Sequence, residues 1–302
     1  MKGRKNRFYR EGCAHHLYLK AQGGILLFYR SEDYLFFLTL LYVLAKRYGI
    51  RIEALCIMFN HIHIFVKPVR KSVFDAFCRD LQSLFARGYN EEYRRSGPLM
   101  MLSGFAPKIT QKSILSCLVY IVNNPVTGKI VRRAQDYKWN LLAYIENDHP
   151  FSNRLVKRES SSRLRKALGI IDCFHRKGQC LNYAIQRGIF NCLTYEEKKQ
   201  AIDYIILKYN PQDKNSMLSR FGDYGRAVIA FNASAGAEHD INEQWEDYSV
   251  YTKMLRTLLR SGLDHHGFRF GEMEKGDLLN LVQTFSGIPN VTEEHIRRFL
   301  HL

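Results

Sequence analysis

The apolar residues of this chain switch repeatedly between a two-residue and a three-to-four-residue period, and the switches mark its elements. Residues 13–22, C-A-H-H-L-Y-L-K-A-Q, read as a first strand that stops at Gly23-Gly24. A helix over residues 31–48 follows. Ser31 is placed to cap it, Glu32 and Asp33 stand in the first turn where the helix dipole favours acids, and Gly49 ends it. Residues 51–58 and 61–67 are two further strands, with Phe59-Asn60 as a tight turn between them. Ser72 is the expected cap of a second helix, whose Phe74, Phe77, Leu81, Leu84 and Phe85 share one face. After a loop through Ser96-Gly97-Pro98, residues 99–108 read as an edge strand. The order strand, helix, strand, strand, helix, strand predicts an α+β fold: a ferredoxin-like palm, with an antiparallel or mixed sheet and helices on one face.

A third helix begins after Thr110 and is expected to end near Asn124, because Pro125 lacks an N–H and disfavours helix in its predecessor. At about 100° per residue, Ile114, Leu115, Leu118, Val119, Ile121 and Val122 fill one arc. Ser113, Ser116, Cys117, Tyr120 and Asn124 fill the other. Tyr120 and Asn124, four apart, stack on that small polar face. Beyond Trp139 the pattern changes. Residues 151–166 are basic and serine-rich and read as a linker between a 1–150 domain and a mostly helical accessory region at 167–302. Thr194 and Glu197 form a capping box there. Residues 276–285 and 292–300 resemble a helix-turn-helix, with His295, Arg297, Arg298 and His301 on its second helix.

Charge narrows the partner. The chain carries 45 Lys plus Arg against 29 Asp plus Glu, a formal net charge of +16, which favours a polyanion, with nucleic acid ahead of a membrane surface. The longest apolar segment, residues 34–45, is too short to span a bilayer and reads as a buried helix. The first ten residues hold five basic and no acidic side chains, the pattern of an arm laid on nucleic acid. Arg4, Arg7 and Arg10 there, with Arg94 and Arg95, are the candidate DNA contacts. Seven scattered cysteines without a C-x-x-C pair are those of reduced thiols in a cytoplasmic, nucleoid-associated protein and argue against structural zinc.

Candidate chemistry comes from the H-I-H-I-F-V strand. Its alternation sends His61 and His63 out of one face, roughly 6.5–7 Å apart along the chain, so their imidazoles can converge on one ion or one phosphate. Two imidazoles and the Asn124 amide make a borderline site suited to Mg²⁺ or Mn²⁺ with positions left open for phosphate oxygens. Tyr120 supplies an oxygen nucleophile. A phenol ionises near pH 10, far below an alcohol, so it is also a tolerable leaving group, which suits reversible strand transfer better than hydrolysis. His16, on the first strand, is a possible accessory to the pair, although a sheet-face histidine is the plainer reading.

Four segments in order resemble the single-tyrosine HUH transposases, and among them the REP-associated tyrosine transposases. They are R-E-G-C-A-H-H-L-Y-L-K-A at 10–21, A-L-C-I-M-F-N-H-I-H-I-F-V at 54–66, F-A-R-G-Y-N-E-E-Y-R-R-S-G-P-L at 85–99 and L-V-Y-I-V-N-N-P-V at 118–126. The resemblance covers about 150 residues and implies that His61, His63 and Asn124 bind a divalent metal and Tyr120 is the nucleophile. The reaction it implies is cleavage of single-stranded DNA near a palindromic hairpin through a 5′-phosphotyrosine, followed by rejoining. Monomer and homodimer both fit, since some relatives complete each site with a partner's tyrosine helix. Phe59 stands where the family has proline, and residues 97–105 keep only part of the family pattern. One alternative is a protein that recognises hairpin DNA without cutting it. Another, a two-histidine phosphoesterase, requires a second H-x-[ST] strand, and His15-His16 is followed by Leu and Tyr.

Overall fold

Strands β1 (Ala14–Ala21), β2 (Ile52–Ile57), β3 (His61–Val66) and β4 (Met100–Lys108) form one antiparallel sheet in the order β2-β3-β1-β4. Helices α1 (Ser31–Tyr48) and α2 (Lys71–Glu92) complete the βαββαβ order, and this order with this pairing is the ferredoxin-like arrangement. The structure is a computed structural model that describes residues 8–67, 69–233, 246–260 and 273–302, so Arg4 and Arg7 lie outside the described residues.

One sheet face carries Leu17, Leu19, Ile62 and Ile64, all fully buried. α2 covers this face: Phe74 packs on His15 and Phe105, and Phe85 joins it to Phe28 and Phe37 of the α1 side. The second face is covered as well, by α3 (Gln111–Thr127). Helices therefore lie on both faces of the sheet. That is why β1 and β3 are buried along almost their whole length rather than at alternate positions.

Several helix ends differ from expectation. α1 starts at Ser31, but its cap position is Arg30, because the Asp33 carboxylate accepts the N–H groups of Tyr29 and Arg30 at 2.9 and 3.0 Å and leaves the serine nothing to cap. α2 starts one residue before Ser72. Thr110 does cap α3, accepting from Ser113 N at 3.1 Å. The helix runs past Pro125 to Thr127, however, since Gly128 N–H still reaches Asn124 O at 2.8 Å and α8 (Tyr224–Asn232) packs behind the proline turn through Asn123 Nδ2 to Phe231 O at 2.6 Å. Losing one ladder bond at proline is outweighed by burial on two sides.

The C-terminal half wraps the palm. A short 3₁₀ turn, Lys157–Glu159, precedes α4 (Ser162–Arg176), α5 (Tyr183–Phe190) and α6 (Tyr195–Lys208), which lean on α1; Leu181 N donates to Thr39 Oγ1 and Lys198 pairs with Glu32. The Thr194–Glu197 capping box is present. α7 (Lys214–Ser219) is clamped to β2 by the fully buried Glu53, which accepts from Arg220 at 2.9 and 3.0 Å. α9 (Ser249–Arg260), α10 (Lys275–Ser286) and α11 (Glu293–Leu300) sit at the end of the sheet, and Tyr29 OH donates to Phe299 O. Of the four basic residues picked out at this end, three are engaged within the protein: His295 and Arg298 both reach Glu246, at 3.6 and 2.8 Å, and His301 reaches Leu26 O, whereas Arg297 is exposed. Among the described residues no helix is long and apolar enough to cross a membrane.

The tightest junction between the two halves is Asp33. Fully buried, it accepts from Tyr93 OH at 2.8 Å and from Tyr183 OH of α5 at 3.0 Å, with the buried Arg30 guanidinium 3.6 Å away. Asp33→Ala takes one of two carboxylates from that guanidinium, which keeps Glu92 at 2.5 Å, and leaves two buried hydroxyls without this acceptor, so a loss of about 3–5 kcal/mol in denaturant unfolding is expected. A loss below about 1 kcal/mol would show that the junction is held elsewhere.

Candidate active site

Alternation along β3 sends His61 and His63 to the face under α3, and strand register decides which side chains join them. On β1, Tyr18 stands across from His63, Lys20 across from His61, and His16 two residues along the same face. Tyr18 stacks on the His63 ring, with centroids 4.9 Å apart and planes 18° apart, and His16 Nε2 lies 3.0 Å from His63 Nδ1. From α3, the Tyr120 ring meets His63 edge-on at 5.3 Å and His16 at 5.8 Å. One turn later Asn124 reaches both imidazoles: Oδ1 is 3.4 Å from His61 Nε2, and Nδ2 is 3.2 Å from His63 Nε2. Five sequence-selected residues, His16, His61, His63, Tyr120 and Asn124, thus meet within one chain.

Hydrogen-bond partners assign the tautomers. Asn60 Nδ2 donates to Gly24 O at 3.3 Å, which turns Asn60 Oδ1 toward His61. That oxygen only accepts, so His61 Nδ1 carries the proton and donates at 2.8 Å. Asn124 Nδ2 only donates, so His63 Nε2 is the acceptor and its Nδ1–H points at His16 Nε2. Both Nε2 lone pairs therefore aim at one amide. The 3.4 Å contact of His61 Nε2 with Asn124 Oδ1 then sets two acceptors against each other, an opposition that a cation between them resolves. A divalent ion with bonds of ~2.1 Å has neighbouring ligands ~3.0 Å apart, near the 3.4 Å between His61 Nε2 and Asn124 Oδ1, while His63 Nε2 would exchange its bond from Asn124 Nδ2 for the ion. His61, His63 and Asn124 fit such an ion, and the Nδ1–H to Asn60 bond is the outer contact that commonly orients a ligating imidazole. Among the described residues no three His, Cys, Asp or Glu side chains are grouped to hold a metal. The two imidazoles and the amide are neutral, which leaves the ion's charge for anionic oxygens.

The cluster is closed. His16, His61 and His63 are fully buried, Tyr120 is 2% exposed and Asn124 1%. Part of the cover is Tyr248, just before α9, with its ring 5.5 Å from His61 and its hydroxyl 3.3 Å from Nδ1. Phe59 lies beside the rings of Tyr248 and Tyr251, at 6.5 and 6.2 Å.

The remaining histidine of the pair, His15, faces the other way. It accepts from Arg10 N at 3.1 Å and stacks on Tyr9, and burial pushes its pKa down to about 4, so it is a neutral core imidazole. Arg10 is accordingly tied at its backbone to the face away from the cluster, with its side chain exposed. Arg94 is exposed in left-handed backbone (φ 52°), and the charge of Arg95 acts on Tyr29, Tyr89 and His301. Sequence reasoning passed over Tyr18, Lys20, Asn60 and Tyr248. The first three were legible, Tyr18 and Lys20 by their two-residue spacing from His16 and Asn60 as the neighbour of His61. Tyr248, 187 residues from His61, left no sequence signal.

No family model matches the chain, and no curated protein matches it. Among solved structures, one described as the REP associates tyrosine transposase bound to a REP hairpin is similar over 47% of this chain and 84% of that chain, at 14% identity and a TM-score of 0.39. This is a remote likeness in fold.

The donor set is testable without DNA. Asn124→Asp replaces a neutral oxygen by an anionic one of the same reach, so it should bind Mn²⁺ about tenfold more tightly, and saturating Mn²⁺ should stabilise it by about 1.4 kcal/mol more than the wild type in thermal melts. Equal Mn²⁺ shifts in both proteins would place the ion away from Asn124.

Proposed function

We propose that the protein is a divalent-metal-dependent DNA strand transferase, using Mg²⁺ or Mn²⁺, that cuts single-stranded DNA beside a palindromic hairpin through a 5′-phosphotyrosine and rejoins it. The observation that carries this reading is the convergence of the His61 and His63 Nε2 lone pairs on Asn124, one helical turn from a tyrosine whose ring rests on His63. The surplus of 16 positive charges supports a polyanionic substrate, and four segments of the first 150 residues resemble the HUH transposases in the same order.

When bound, the metal supplies charge neutralisation and Lewis-acid polarisation at a non-bridging phosphate oxygen. His61 and His63 present neutral lone pairs, held so by Asn60 and His16. Asn124 presents its oxygen to His61 and its amide nitrogen to His63, and so ties the position of α3 to that of the two imidazoles. The Tyr120 oxygen attacks phosphorus and forms the new O–P bond as the bond to O3′ breaks; the electron pair goes to O3′ and the phenolic proton is replaced there, leaving a free 3′-OH. Attack by that hydroxyl reverses the step and releases the phenol. Tyr120 packs on His63 and His16 of its own chain, which supports attack in cis.

Burial of Tyr120 favours a second reading, a hairpin-DNA binder that does not cut. One experiment separates them. Incubation with a hairpin-bearing single strand and Mn²⁺ should give a denaturation-resistant protein–DNA adduct, and Tyr120→Phe should lower its yield at least ~1,000-fold while retaining hairpin affinity. An adduct of undiminished yield in Tyr120→Phe would remove Tyr120 from the chemistry. Binding by the wild type with no adduct would leave the second reading.

A further inference from the structure

We propose that Tyr248, from the helical C-terminal half, is a positioning residue of the metal site and holds His61 and the end of α3 in the spacing the site needs. This rests on the metal reading above. Tyr248 touches both sides of the cleft. Its hydroxyl lies 3.3 Å from His61 Nδ1, the atom already donating to Asn60, and its ring packs on the imidazole at 5.5 Å. Its backbone N–H donates to Gly128 O at 3.1 Å, and Gly128 caps α3 through Asn124 O at 2.8 Å. One residue thus links the strand bearing His61 to the helix bearing Asn124 and Tyr120.

The link is itself braced. Asp247 pairs with Lys129 at 3.0 Å, on the residue after Gly128. Glu246 accepts from Tyr251 OH at 3.0 Å and from Arg298 at 2.8 Å, so the segment is anchored on α9 and α11. Phe59, in the turn before His61, forms the floor under Tyr248 and Tyr251. Space is close to exhausted at the junction: a methyl group on Gly128 would stand 2.9 Å from the Tyr248 ring, 3.3 Å from Asn124 O and 3.3 Å from Met58 Cε. An alanine there must displace either the ring or the end of α3.

Outer contacts that orient a ligating imidazole commonly change metal affinity 10- to 100-fold when removed. The test is Mn²⁺ affinity of the full-length chain, read from the free-ion electron paramagnetic resonance signal, with thermal melts beside it. Tyr248→Ala should weaken Mn²⁺ binding ~10- to 100-fold. Tyr248→Phe keeps the ring and should recover most of that loss. Gly128→Ala, which leaves Tyr248 in place and crowds it, should weaken binding as well, so the proposal stays falsifiable even if Tyr248→Ala does not fold. Wild-type affinity in Gly128→Ala and in a folded Tyr248→Ala, together with loss in His63→Ala, would overturn the role of Tyr248 and leave the metal site standing. Equal affinity of wild type and His63→Ala would overturn the metal reading, and this proposal with it.

Discussion

The grip of one amide on two imidazoles is the constraint on which the rest of the structure depends. For Asn124 to reach His61 and His63 at once, α3 must lie flat on the sheet face that those histidines share. That face then cannot be solvated, and α3 must be covered from behind, which α8 does. A helix pressed on two sides tolerates Pro125 in its last turn, and its amphipathic pattern acquires a meaning different from that of a surface helix. The polar arc of Cys117, Tyr120 and Asn124 faces inward, and Ile114, Leu115 and Val119 are the partly exposed side.

Charge is distributed with the same logic. Among the described residues the four buried carboxylates all help to dock the helical half: Glu32 on Lys198, Asp33 on Arg30, Tyr93 and Tyr183, Glu53 on Arg220, and Asp203 on Tyr144 and the Phe151 N–H. The imidazole cluster has been built without one.

Much of this was legible in the sequence. The βαββαβ order followed from period changes and punctuation at Gly23-Gly24, Gly49 and Pro98, and the His61, His63, Tyr120 and Asn124 set followed from a period of two on one element and of four on another. Three things were not legible, each for a physical reason. Side-chain periodicity says which residues share a helix face but not which face is pressed on the sheet, so burial of the polar arc of α3 is not legible from its spacing. Capping preference is local, and at Ser31 a buried carboxylate two residues on overrode it. Contacts such as Tyr248 on His61 span 187 residues and depend on how the C-terminal half docks, for which no short pattern exists. Among the basic residues chosen as DNA contacts, the charge count located the kind of partner but not the face it meets.

The claim at the centre is that His61, His63 and Asn124 hold a divalent ion beside Tyr120. Anomalous diffraction at the manganese edge from crystals grown with Mn²⁺ and a hairpin-bearing single strand tests it most directly. The account predicts one strong peak ~2.2 Å from both Nε2 atoms and from Asn124 Oδ1, with a phosphate oxygen in its remaining coordination sphere. A peak elsewhere, with the two imidazoles still bonded to the Asn124 amide, would contradict it.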